Sequence, residues 1–334
     1  MNLPFIRINP LGMVVLCGCF LFLIYIYASN WNDKSNDTTL ISLKHLLAVS
    51  VDAAELGGLK VREVRQSSDL KQSSKGKTKE GANDPLTYGD ILSHKTMLYS
   101  LKKAFPNLKV ISEEHDDKIE PHDIGPPVSV WGAVDKFPGD VLVPTKDIVV
   151  WIDPLDATQE YTENLLQYVT TMVCVAVRGK PVIGVIHQPF QNVTVWGWDG
   201  RGTSNPKLAS AAQAHDPSKP FKIIVSRSHS GKVKEVAKAA FGPETEVISA
   251  GGAGFKSLQV AEGKADAYIH VTLIKKWDIC AGNALLNALG GKMTALDGTT
   301  ISYGDPTNVK NEKGLVASLH NHDDFVHKLS SLSS

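Results

Sequence analysis

Six carboxylates stand where the sequence pattern ends one element and starts another. Asp153 and Asp156 flank Pro154 and Leu155 in "WIDPLDAT" (151–158), directly after the apolar run 147–152. Glu113 and Glu114 close "KVISEE" (109–114), Asp278 follows "YIHVTLIKKW" (268–277), and Asp90 opens a helical pattern over 88–105. Each acid alone can be a helix cap. Asp153 in that role would precede Pro154 as a first helical residue. Taken together the acids suit a second chemistry. If these ends converge, like charges leave water together, at a cost of several kcal/mol per ion unless something compensates. A divalent cation does so, and hard Mg²⁺ takes oxygen ligands.

The elements that must position these acids are legible. Residues 39–55 have helical periodicity, with Leu40, Leu43, Leu46, Leu47 and Val51 on one side. The Lys-, Ser- and Gly-rich 71–84 reads as a mobile loop, or as a flap over an anionic ligand. Residues 88–105 form a second amphipathic helix, and 120–146 are irregular. "YVTTMVCVAV" (168–177) and "PVIGVIHQP" (181–189) form a hairpin through Arg178-Gly179-Lys180. After 220 the rhythm changes to strand–helix alternation: strands at 221–226, 245–250 and 265–271, helices at 231–241, 255–263 and 278–290. Alternation of that kind predicts a sheet covered by helices. The expected fold is α/β, with an N-terminal lobe over 39–210, a C-terminal lobe over 211–334 and a boundary near 206–220.

The composition excludes some functions. The chain has 334 residues, 43% of them hydrophobic, enough for a large single body or two fused lobes. Lys plus Arg and Asp plus Glu both number 35, so no basic excess points to a nucleic-acid polymer. "LGMVVLCGCFLFLIYIYA" (11–28) carries no charge. As a helix it is about 27 Å long, which favours an uncleaved membrane anchor over a cleaved signal peptide, between a short tail (1–10) and a stalk (29–38). Cys174 and Cys280 lie in apolar segments and read as two buried thiols, not as a disulfide framework. "NDT" at Asn36 and "NVT" at Asn192 match the glycosylation pattern, which matters only if the body faces a secretory lumen.

Three of these stretches occur in the order of a known family. "DPLDAT" resembles the first signature of the inositol monophosphatase superfamily, "WDICAG" (277–282) its second, and "SEE" (112–114) its Glu-Glu element. The resemblance implies the layered αβαβα sugar-phosphatase fold. It also implies two to three Mg²⁺ ions held by Glu113, Asp153, Asp156, Asp278 and the main-chain carbonyl of Leu155. Asp90 with Thr158 would orient and deprotonate the attacking water, no covalent nucleophile is required, and lithium should inhibit.

"VSRSHS" (225–230) and "AGGAGFK" (250–256) resemble nucleotide-binding elements of the bisphosphate nucleotidase branch. A glycine turn at a helix N-terminus plus a lysine is an anion site. Ser226, His229, Gly252 and Lys256 are therefore expected to contact substrate. An anchor ahead of such a body resembles the Golgi members of that branch. This implies a single-pass type II protein whose lumenal body clears the 3′,5′-bisphosphate left by sulfotransferases, giving AMP and phosphate. An inositol monophosphatase is the alternative, with less use for Lys256 and His229. An inactive tethered binding protein is the other, although every expected acid is present. Homodimerisation is left open.

Overall fold

The computed structural model describes residues 17–25, 39–67, 69–77, 81, 83–115, 139–205, 208, 216, 219–227 and 233–330. Helix α1 (Leu43–Gln66) starts where the Ser42 hydroxyl accepts from His45 N at 2.9 Å. It packs on α2 (Tyr88–Ala104). A side chain at Gly57 of α1 would meet the α2 hydroxyl of Ser93 at 2.6 Å, so the two helices approach through that glycine. The periodicity read over 39–55 thus belongs to a helix that starts at Leu43 and runs on to Gln66.

β1 (Leu40–Ser42) precedes α1, and between the two helices run β2 (Ser73–Lys77) and β3 (Asn83–Leu86). The pair β2–β3 corrects the loop reading of 71–84: these residues form an antiparallel hairpin. Their side chains carry no apolar alternation because β2 is exposed. Main-chain pairing makes the hairpin, and a hydrophobic pattern cannot report it.

Then follow β4 (Lys109–Ser112), β5 (Leu142–Pro144), β6 (Ile148–Asp156), the short helix α3 (Thr158–Thr162), β7 (Thr170–Val177), β8 (Lys180–Gln188), β9 (Val193–Trp198) and β10 (Gly202–Thr203). The larger sheet has the order β10-β9-β8-β7-β6-β4. Arg178 and Gly179 take positive φ in the β7–β8 turn, as a two-residue hairpin requires.

The second sheet is built from β11 (Lys222–Ser226), β12 (Glu246–Ala250), β13 (Ala267–His270), β15 (Lys292–Thr294) and β17 (Leu315–Ser318), in the order β12-β11-β13-β17-β15. A ribbon of β14 (Ile274–Lys275) and β16 (Lys310–Asn311) lies outside it. Its helices are α4 (Val233–Phe241), α5 (Ala253–Ala261), α6 (Lys276–Ala288) and α7 (His322–Ser330).

Burial follows five layers. Val150, Ile152, Val173 and Val185 on one face of the large sheet pack with Leu46 and Leu47 of α1 and Met97 of α2. Trp151, Met172 and Cys174 on the other face join Leu258 of α5, Ile279 and Leu285 of α6, and Tyr268 and Ala317 of the second sheet. That sheet's far face, with Ile223, Val225 and Ile269, packs on Val233 of α4 and Phe325 of α7. The order is helices, sheet, helices, sheet, helices. β6 is buried along its whole length because both its faces are covered, which is why it reads as an unbroken apolar run.

Two further expectations need comment. Cys174 and Cys280 form a disulfide, with Cα atoms 5.6 Å apart, so the reading as two thiols is corrected. β7 and α6 are packed face to face, and the two residues meet across 106 positions of sequence. Of the predicted anchor 11–28, the structure describes a helix over 17–25 with exposed side chains. No described helix is long and apolar enough to cross a membrane, and the rest of that segment and the sequon at Asn36 lie outside the described residues.

Candidate active site

The large sheet delivers the first acids through a break in its ladder. Asp153 opposes Met172 and Asp156 opposes Thr170, so β6 spends one residue more than β7 between these pairs. This bulge holds Pro154 and Leu155. The strand runs on through Asp156, Ala157 takes a left-handed φ of 69°, and α3 begins at Thr158. Asp153 therefore caps no helix at Pro154. Its Oδ1 instead accepts from Leu155 N at 3.2 Å, within the bulge.

Glu113 leaves the end of β4, which runs parallel to β6. Asp278 arrives on the first turn of α6, where its Oδ2 accepts from Lys275 N at 3.1 Å. Glu113, Asp153 and Asp278 each present an oxygen within 4.8 Å of the others. Burial first, then mutual repulsion, pushes Asp153 and Asp278 well above the usual carboxylate range. Burial also raises Glu113, with Lys75 opposing it.

Such a set of oxygens fits a hard divalent cation, and a cation already sits against it. The Lys75 ammonium, from β2, donates to Glu113 Oε1 at 2.7 Å and to Glu114 Oε1 at 2.6 Å. Burial would lower this lysine, but the two glutamates outweigh it and hold it well above its ordinary value. Lys75 was not singled out from the sequence. The hairpin borders the cavity described below, and its lysine contacts carboxylates.

Asp156 is close by but differently employed. Its Oδ1 accepts from Ala253 N at 3.1 Å, and its Oδ2 from Gly254 N at 2.8 Å and Thr170 Oγ1 at 3.0 Å. It thus ties β6 to the N-terminus of α5. Burial raises its carboxyl, while Lys256 and these donors pull the other way.

Asp90 is 1% exposed. Its Oδ2 accepts from Thr87 N at 2.7 Å and Thr87 Oγ1 at 2.6 Å, a reach-back from the third residue of α2. Its Oδ1 accepts from Thr158 Oγ1 at 2.9 Å, and that hydroxyl also lies 3.0 Å from Leu155 O. Burial lifts Asp90 to about 7, against the pull of Thr87. A neutral-range carboxyl hydrogen-bonded to a hydroxyl can accept a proton near physiological pH.

A cavity of about 570 Å³ joins these parts. Glu113, Asp153, Leu155, Asp156, Thr158 and Asp278 line it, and so do Ser226, Gly252 and Lys256. Gly252 precedes α5 at φ 66°, and a Cβ there would lie 2.9 Å from Asp156 Oδ2, so only glycine fits. Lys256 is 3% exposed, and its ammonium donates to Gly252 O. Burial lowers it to about 8, against Asp156, Glu160 and Asp278. His229 lies outside the described residues.

Tyr268 also lines the cavity, a residue that the sequence reading does not single out, and so does Lys275 of "IKKWD" (274–278), a stretch that also resembles the nucleotide-binding elements. A signal existed for Tyr268: in "ADAYIHV" the alternation sends Ala267 and Ile269 to one face of the sheet and Tyr268 to the other.

The sequence profile of the inositol monophosphatase family matches residues 42–334. The mouse protein "Golgi-resident adenosine 3′,5′-bisphosphate 3′-phosphatase" is 48% identical over 360 residues, covering 98% of this chain and 97% of its own. "Inositol monophosphatase 3" of Xenopus laevis is 48% identical over 347 residues, covering 97% and 95%. The crystal structure of the extragenic suppressor protein suhB from Bartonella henselae superposes with a TM-score of 0.64 at 19% identity, over 85% of this chain and 98% of that one. This last likeness is one of fold.

Proposed function

The chain belongs to the inositol monophosphatase family, and we propose that it is a Mg²⁺-dependent phosphatase that removes the 3′-phosphate of adenosine 3′,5′-bisphosphate, giving AMP and phosphate. One observation carries this reading: the acid group Glu113, Asp153 and Asp278 lines one cavity with Thr158, whose hydroxyl bonds the buried Asp90 behind it, and with Ser226, Gly252 and Lys256.

In this reading Glu113, Asp153, Asp156, Asp278 and the carbonyl of Leu155 hold two to three Mg²⁺ ions. When bound, the ions neutralise phosphoryl charge and make water more acidic. Thr158 accepts a hydrogen bond from the attacking water and passes the proton to Asp90, whose Oδ2 is already fixed by Thr87. Water attacks phosphorus in line, the P–O3′ bond breaks, and the ribose oxygen leaves to take up a proton. Ser226, His229, Gly252 and Lys256 hold the nucleotide and the phosphate that stays.

The body is proposed to sit in the Golgi lumen behind the 11–28 anchor, as a type II protein of two lobes, 39–210 and 211–334. The names of the relatives support the compartment. So does the Cys174–Cys280 disulfide, since disulfides persist in oxidising compartments. Asn192 is exposed in the β8–β9 turn, where a glycan has room.

The second reading is an inositol monophosphatase, favoured by the name of the Xenopus relative. Phosphate release by residues 39–334 with Mg²⁺ separates the two. Adenosine 3′,5′-bisphosphate should be strongly preferred over inositol 1-phosphate, and Li⁺ should inhibit. A preference for the inositol ester overturns the nucleotide assignment.

A further inference from the structure

Tyr268 sits on β13, between Ile224 of β11 and Ala317 of β17. Its ring is 0% exposed and part of the apolar core between the sheets. Phenylalanine would fill that space equally well. The hydroxyl, however, is buried and has no hydrogen-bond partner, although leaving such a donor unsatisfied costs stability. The residue lines the cavity of the candidate active site. The Lys256 ammonium lies 5.2 Å from its ring centroid. A phenol keeps its proton at neutral pH, so this hydroxyl is a donor.

A neutral O–H donor placed among carboxylates, without bonding any of them, suits an acceptor that arrives from outside. An incoming oxyanion is repelled by Asp156 and Asp278 until cations are bound, but it can accept from a phenol. We propose that Tyr268 is a substrate-positioning residue whose hydroxyl donates a hydrogen bond to an oxygen of the phosphoryl group being transferred. The proposal rests on the phosphatase reading of this cavity. It explains why a tyrosine is retained at a position where the core needs only a ring: the free protein tolerates an unpaired donor that the ligand pairs.

The test is Tyr268→Phe against the wild type, in three measurements. In thermal unfolding without ligand the variant should be at least as stable as the wild type, because nothing is lost with the hydroxyl. Inorganic phosphate with Mg²⁺, titrated calorimetrically, should bind about 10- to 150-fold more weakly, the range for a hydrogen bond to a charged group. kcat/KM for adenosine 3′,5′-bisphosphate should fall by a similar factor. Unchanged phosphate affinity and unchanged kcat/KM overturn the proposal. So does a clear drop in unfolding temperature, which gives the hydroxyl a structural task. A wild type that hydrolyses no phosphate ester overturns the phosphatase reading, and this proposal with it.

Discussion

The Thr158 hydroxyl donates to Asp90 Oδ1 at 2.9 Å. That bond links the first residue of α3 to the first turn of α2, two elements 68 residues apart in sequence. Asp90 has no freedom to turn away, because Thr87 holds its other oxygen twice.

Breaking this pair should cost turnover and spare cation binding. Thr158→Val and Asp90→Asn are expected to lower kcat by about 10²- to 10⁴-fold, the usual worth of general base catalysis. Mg²⁺ affinity by calorimetry should change little. The wild-type kcat/KM should rise with pH through a midpoint at or below about 7, since Asp90 must lose its proton and bound cations favour that loss. A wild-type acid limb that persists unchanged in Asp90→Asn would assign it to another group.

Asp156 should prove structural as well as chemical. Asp156→Asn offers one acceptor oxygen where Ala253 N, Gly254 N and Thr170 Oγ1 now find two. The expected cost is about 1–3 kcal/mol of stability from unpaired donors, read as a lower unfolding temperature, together with loss of turnover. Full stability in the variant would mean that the α5 N-terminus is held by other contacts.

Cation binding should release protons. Asp153 and Asp278 are pushed up by burial and by the charges of Glu113 and Asp156, so they hold protons where free carboxylates would not. A bound cation favours their charged forms. Apparent Mg²⁺ affinity should therefore rise with pH, and titrations in buffers of different ionisation enthalpy should show proton release on binding. Lys75→Met should tighten Mg²⁺ binding, because the ammonium bridging Glu113 and Glu114 no longer competes. Weaker binding in that variant would make Lys75 a partner of the bound state.

The disulfide should anchor α6 against the large sheet, two residues after Asp278. Reduction, or the double change Cys174→Ala and Cys280→Ala, is expected to lower stability by about 2–4 kcal/mol. Thermal unfolding with and without reductant measures it. Peptide mapping that finds both thiols free in the untreated protein would rule the bond out.

Lys256→Ala should distinguish the two phosphates. A charged hydrogen bond contributes about 1.5–3 kcal/mol, so kcat/KM for the bisphosphate should fall roughly 10- to 150-fold. Hydrolysis of a substrate carrying only the cleaved phosphate should survive. An equal loss on both would tie Lys256 to the acids beside it, Asp156 above all.

What the sequence determined by itself was local. The apolar run ahead of Asp153 and Asp156, the strand before Glu113 and the helix that carries Asp278 are short-range patterns. They are visible because backbone geometry repeats over two or three residues. Their order along the chain identified the family. The tertiary structure decided which distant groups meet. Cys174 finds Cys280 because β7 and α6 share a core layer, and no spacing announces that. Lys75 reaches Glu113 across 38 residues from a hairpin whose side chains carry no periodic signal. Asp90 and Asp278 each spend one oxygen on a helix end. Cap and site were therefore never exclusive, because a carboxylate has two oxygens and only the packing of other elements decides what the second one faces.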